Sequence, residues 1–181
     1  MKIAMIDLET MGSSPRAAVC AIGAICFESH GDGLYQPSFD VTVSLQAQED
    51  GIDEKTLYWW LEQTKEAQRY LLDDRKGLLM ALSLFRTWYM QMAPDFAMAY
   101  GASFDFPILE HACRRVNQTS PINYRDALCF RTLTRLYPDV PRPETEGVTH
   151  RAVDDAWSQA RWAQDIFKKH LKTADSDNIP F

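Results

Sequence analysis

The chain opens with short apolar runs and closes with a strict helical stripe. Residues 2–8 (KIAMIDL) and 17–27 (AAVCAIGAICF) have strand character and flank the turn signal MGSSPR; a third strand is expected at 39–45 (FDVTVSL) after the turn-rich SHGDGLYQPS. The period then changes. Residues 53–63 begin with a possible cap, Asp53, and place Leu57, Trp60 and Leu61 on one helical face; residues 76–92 repeat Leu78, Leu79, Leu82, Phe85 and Tyr89 at helical spacing and end before Pro94. A strand at 96–100 should lead into a helix over 106–116 capped by Asp105, with Pro107 in its first turn. Another helix is expected over 126–136, a proline- and glycine-rich loop over 137–147, and a final helix whose stripe is Val153, Ala156, Ala160, Ala163 and Phe167. Strands first, then alternation of strand and helix, predict an α/β fold with a central mixed sheet flanked by helices. The expected organisation is one domain over 1–172 and a tail over 173–181.

Composition narrows the picture. With 181 residues, 46% of them apolar, the chain can bury one ordinary core. Its net charge of −6 argues against capture of a polyanion by the whole molecule, yet residues 114–170 hold 10 basic and 7 acidic side chains. A local anionic substrate is compatible with that segment. Cys20, Cys26, Cys113 and Cys129 form no CxxC pair, the opening reaches Asp7 and Glu9 before an apolar signal core can form, and no 18-residue uncharged apolar run occurs. The expectation is a reduced, cytoplasmic protein without a membrane partner.

The candidate chemistry lies at strand ends. Asp7 and Glu9 are two apart on the first strand and so share one side of the sheet. Two adjacent anions repel unless a cation neutralises them, and carboxylate oxygens suit Mg²⁺ or Mn²⁺; D-x-E alone is also compatible with a solvent-facing acidic strand end. Asp105 follows a second strand, in YGASFD. His150 stands at the start of the last helix, where Asp155 shares an inward direction with Trp162 and Ile166 while Asp154 shares an outward one with Arg161 and Asp165.

Together, DLE at 7–9, SFD ending at Asp105 and HRAVDD at 150–155 resemble the DEDDh 3′-to-5′ exonucleases. The segments IDLETMG, CAIGA, TLYWWLEQ, GASFDFPIL, YRDALCFRTL and GVTHRAVDDA are most similar to compact phage and bacterial members, the exodeoxyribonuclease VIII-like and RNase AS-like group. The resemblance implies a ribonuclease H-like fold. It implies two divalent ions, Mg²⁺ or Mn²⁺, held by Asp7, Glu9, Asp105 and Asp155, with His150 as general base. It also implies single-stranded DNA or RNA 3′ ends as substrate, nucleoside 5′-monophosphates as product, and a homodimer, for which the 58–60 and 89–92 regions are candidate contacts. Thr10 and Gly12 match the segment that cradles the terminal nucleotide; Met11 could pack on a base or fill the core. Trp59 is a stacking candidate, Ser103 a hydrogen-bond donor near the 3′ end or a turn residue, Phe104 a base contact or core, and Asp126 a positioning or capping residue. Tyr100 and Gly101 stand where many relatives carry an Asn, which leaves terminal-sugar recognition open. An RNA-specific trimmer and a non-catalytic nucleic-acid-binding module are the alternatives.

Overall fold

The computed structural model describes residues 1–144 and 147–170, so the expected tail over 173–181 lies outside the described residues. Five strands, β1 (Lys2–Thr10), β2 (Val19–Glu28), β3 (Leu34–Thr42), β4 (Phe96–Ala99) and β5 (Ala127–Cys129), form one sheet in the order β3-β2-β1-β4-β5. The first three run antiparallel as a meander, and β4 and β5 lie parallel to β1. Helices α1 (Glu54–Leu61), α2 (Lys65–Tyr70), α3 (Leu78–Met92), α4 (Ala102–Arg115), α5 (Phe130–Leu136) and α6 (Ala152–His170) complete the fold. This mixed sheet covered by helices is the ribonuclease H-like arrangement.

The two faces of the sheet follow from the pleat. On β1, Ala4, Ile6 and Leu8 enter the core shared with Leu82 and Phe85 of α3 and Ile108 of α4. Ile3 and Met5 instead join Ala156, Ala160 and Ile166 of α6 and Phe130 of α5. Period-2 alternation therefore sends Asp7 and Glu9 toward α6, at the C-terminal end of β1. Helix α6 can reach them because β2 carries glycine there. Gly23 pairs with Asp7 across the ladder. A Cβ at Gly23 would stand 2.1 Å from the carbonyl carbon of Ala152 and 2.2 Å from the nitrogen of Val153, so the first turn of α6 rests on bare backbone.

Several expected boundaries shift for identifiable reasons. β3 begins at Leu34 rather than 39, since Pro37 is tolerated on an edge strand. Gly101, one residue beyond the end of β4, takes the cap position of α4; the helix starts four residues early, Asp105 rides inside its first turns instead of capping it, and Pro107 falls deeper than the first turn. Residues 126–129 are not helical: Asp126 ends a short 3₁₀ turn, β5 follows, and α5 begins at Phe130. α2 has no counterpart in the sequence reading.

Two apolar faces also differ. On α1 only Trp60 is buried, while Leu57 and Leu61 are exposed and border an apolar hollow of about 230 Å³ with Leu45, Leu71 and Leu72. On α3, Leu78, Leu82, Phe85 and Tyr89 turn inward as expected and Leu79 does not. The candidate dimer contacts divide in the same way: Tyr58, Trp59 and Met90 are exposed, whereas Trp60, Tyr89 and Met92 belong to the interior. Cys20, Cys26 and Cys113 are buried free thiols, with burial raising the pKa of Cys26 to about 12 and of Cys113 to about 11.

Candidate active site

Three segments far apart in the chain meet at the C-terminal end of β1. Asp7 and Glu9 come from the strand itself. Asp105 is brought in by the start of α4, and the backbone N–H of Leu8 donates to its Oδ1 at 3.3 Å. Asp155 comes from the first turn of α6, and His150 from the loop that enters it. Ligand atoms of Glu9, His150 and Asp155 all lie within 4.8 Å of one another.

The loop is shaped to deliver the imidazole. His150 adopts a left-handed backbone (φ 64°), and Gly147, also left-handed, lies against the Asp154 carboxylate. The N–H of His150 donates to Asp155 Oδ2 at 2.9 Å, and the N–H of Val148 donates to Asp154 Oδ2 at 2.9 Å. Asp154 is thus a loop tie and not a freely solvated residue. Arg151 anchors the loop to the edge strand through Asp40, whose Oδ2 accepts from Nε at 3.2 Å and from Nη2 at 2.7 Å; the Tyr70 hydroxyl donates to Asp40 Oδ1 at 2.7 Å. The His150 ring meets the Trp59 ring edge to face, with centroids 4.8 Å apart.

The electrostatics of the acids are those of a buried anion cluster. Burial, then the neighbouring Asp105 and Asp155 carboxylates, holds Asp7 well above the usual carboxylate range, and burial followed by the Asp7 charge does the same for Glu9. Burial pushes Asp105 up to about 7, against the Leu8 hydrogen bond and the nearby Arg131 that favour its charge. Asp155 is raised by burial, opposed by its bond to the His150 backbone. Glu9, Asp105 and Asp155 are each buried, and a fixed group of hard oxygen donors in that setting fits a divalent cation.

A protein-family model described as the 3'-5' exoribonuclease Rv2179c-like domain matches residues 2–167. The chain belongs to this family. Among curated proteins, an exodeoxyribonuclease of Enterobacteria phage T4 is 25% identical over 141 residues, a match covering 70% of this chain and 62% of the phage protein's length. As a member of an exonuclease family with a potential catalytic metal cluster, the protein has the equipment of an enzyme.

In this member, the expected substrate residues are distributed unevenly. Trp59 is 40% exposed and stands beside His150, so its ring is open to a ligand. Thr10 is buried; its hydroxyl donates to the Gly12 carbonyl at 2.7 Å and its own carbonyl accepts from the Trp60 indole at 2.9 Å. Met11 is buried with Ala18, Cys20, Trp60 and Ala67, which is the core-filling position. Gly12 lies against the Gly51 carbonyl, where a Cβ would stand 3.1 Å away. Ser103 is exposed on α4, and Phe104 packs against the core on the α3 side of the sheet. Asp126 is not brought to the acids. Ala127 pairs with Ala97, which pairs with Ala4, so Asp126 sits two strands across from β1 and level with its first residues, at the other end of the parallel strands from Asp7.

Three side chains near the acids escape motif reading. Gln159 donates from Nε2 to Asp7 Oδ1 at 2.8 Å. Arg142 approaches Asp155 Oδ1 at 3.9 Å from the 137–147 loop. Arg131, just beyond β5, lies over the Tyr100 ring at 5.2 Å and within reach of the Asp105 charge. For Gln159 a signal existed in its position four residues after Asp155, on the same helical face. For Arg142 only the folded loop reveals the proximity; Arg131 belongs to the basic 114–170 segment offered for an anionic substrate, and the unpredicted strand is what brings it to Asp105.

Proposed function

We propose that this protein is a DEDDh-type, metal-dependent 3′-to-5′ exonuclease of the compact exodeoxyribonuclease VIII-like and RNase AS-like kind, acting on single-stranded 3′ ends and releasing nucleoside 5′-monophosphates. The observation that carries this reading is the convergence of Glu9, His150 and Asp155 within 4.8 Å, from a strand, a loop and a helix, beside Asp7 and Asp105. Asp7, Glu9, Asp105 and Asp155 would hold two divalent ions, Mg²⁺ or Mn²⁺. When bound, such ions supply charge stabilisation to the scissile phosphate and lower the pKa of a water.

The remaining work falls to the protein's own groups. His150 projects from a loop fastened at Asp155, Asp154 and Asp40, so its imidazole is held where it can accept a proton from water attacking the phosphate. The exposed Trp59 ring, adjacent to His150, offers a stacking surface for the terminal base. Arg142 and Arg131 lie at the rim of the acid cluster and can meet the phosphates of the strand. Whole-molecule attraction is weak at net charge −6, so capture of the strand depends on this local set and on the ions.

The family is that of an exoribonuclease domain and the phage relative is an exodeoxyribonuclease, so we carry RNA and DNA ends as the two substrate readings. Digestion of matched single-stranded RNA and DNA oligonucleotides, with the released nucleotides identified by chromatography, tests both. The proposal expects 5′-monophosphates from at least one polymer; 3′-monophosphates or no mononucleotide from either would defeat it. We further propose a homodimer, with exposed Tyr58 and Met90 among its contacts; a monomeric mass by light scattering would reject that assembly.

A further inference from the structure

We propose that Gln159 is a positioning residue for the metal site: its amide fixes the Asp7 carboxylate with a neutral hydrogen bond, so that one oxygen is held and the other is presented to a divalent ion. This rests on the reading of Asp7 as a metal ligand. Gln159 lies on α6 one turn beyond Asp155 and is 9% exposed. Its Nε2 donates to Asp7 Oδ1 at 2.8 Å, and among the described residues Asp7 Oδ2 receives no corresponding bond.

The other end of the same amide is unmet. Gln159 Oε1 is buried and has no hydrogen-bond partner among the described residues. An amide oxygen is an acceptor only, so the unmet atom calls for a donor such as a water. A glutamine that merely filled the helix–sheet interface would leave an apolar residue of the same size preferable. One that donates to a ligand carboxylate fits the supporting layer of an ion site.

Neutrality is the chemical point. A lysine or arginine at 159 would place a fixed cation on Asp7 and compete with the ion, while a glutamate would set a further anion directly against the Asp7 carboxylate. An amide orients the carboxylate and leaves its full charge available.

Gln164 provides a matched control on the same helix. It is 1% exposed, its Nε2 donates to the carbonyls of Glu28 and Gly33, and its Oε1 likewise has no partner among the described residues, so the bond to a carboxylate is what sets Gln159 apart.

The test is Mn²⁺ binding to the folded protein, read from the free-ion electron paramagnetic resonance signal, in wild type, Gln159→Met, Gln159→Asn, Gln164→Met and Asp7→Ala, with thermal unfolding recorded for each. We expect Gln159→Met to weaken Mn²⁺ binding about 10- to 100-fold, the usual effect of losing such a supporting bond. Gln159→Asn, whose amide is withdrawn by one methylene, should weaken it as well, and this variant carries the test if the Met variant fails to fold. Gln164→Met should lower the unfolding temperature and leave Mn²⁺ affinity at the wild-type value. Wild-type affinity in both Gln159 variants, with Asp7→Ala still impaired, would overturn the role of Gln159 alone. Equal Mn²⁺ binding by wild type and Asp7→Ala would overturn the metal-site reading beneath it.

Discussion

Replacing Gly23 by alanine tests how the site is assembled. The added Cβ would lie 2.1 Å from the Ala152 carbonyl carbon, whereas ordinary contact begins at 3.4 Å, so the start of α6 must retreat by roughly 1 Å or the β2 backbone must yield. The obstruction is backbone, and no side chain can rotate away from it. Overpacking of this kind costs about 1–3 kcal/mol, which for a chain of this length lowers the unfolding temperature by roughly 2–12 °C. The functional effect should be larger in proportion. Gly23 stands opposite Asp7, and the turn it supports carries Asp155 and follows His150. A displacement near 1 Å between reacting groups costs about 100-fold in rate. The assay is kcat/KM on an end-labelled single strand beside a thermal melt, with Gly33→Ala as control because its nearest neighbour, Glu28 Cβ, is 3.9 Å from the added methyl. Wild-type rate and melting temperature in Gly23→Ala would refute the claim that bare backbone at Gly23 sets the distance between β1 and α6.

Three further outcomes follow from the same geometry. For metal-free protein, Asp105 binds its proton up to about pH 7 when folded but only to about 3.8 when unfolded, so stability should fall as pH rises through that window. Asp105→Asn should therefore stabilise the metal-free protein above pH 7 by on the order of 4 kcal/mol at most, at about 1.4 kcal/mol per pH unit, with the gain vanishing toward pH 4; chemical denaturation across pH checks this. His150→Ala should lower kcat by about 100- to 10,000-fold in single-turnover assays while the melting temperature stays near wild type. Trp59→Ala should act mainly on KM, raising it by about 5- to 100-fold, whereas Trp60→Ala, which removes a buried ring and its bond to Thr10, should cost about 3–5 kcal/mol of stability in denaturant titrations.

The legible parts of this fold were those with a strong period or a chemical motif. Asp7 and Glu9 shared a face because side chains alternate along a strand, and Asp155 turned inward because it followed the apolar direction of Trp162 and Ile166. Elements without a period of their own were lost. β5 has three residues and exists only because β4 offers it an edge, and α2, six residues long, is too short to show a helical stripe. The cap of α4 was misplaced because Asp105 is a good capping residue by type, while the helix starts almost at once after the strand, with only Tyr100 between Ala99 and the cap Gly101. Gly23 lay in view within CAIGA, yet its purpose depends on where α6 crosses the sheet. Gln159 was one turn from Asp155 in the sequence but its partner lies 152 residues away, and Arg142 acquires meaning only from a neighbour 13 residues away.

We propose that the acid cluster and His150 hydrolyse nucleic acid from its 3′ end. The direct measurement is a time course on 5′-labelled single-stranded RNA and DNA with Mg²⁺, Mn²⁺ or chelator, for wild type, Asp7→Ala and His150→Ala. A ladder shortening one nucleotide at a time from the 3′ end, abolished by chelation and by either substitution, is the predicted result. Intact substrate with folded wild type loaded with Mn²⁺, or a ladder that survives Asp7→Ala, would contradict it.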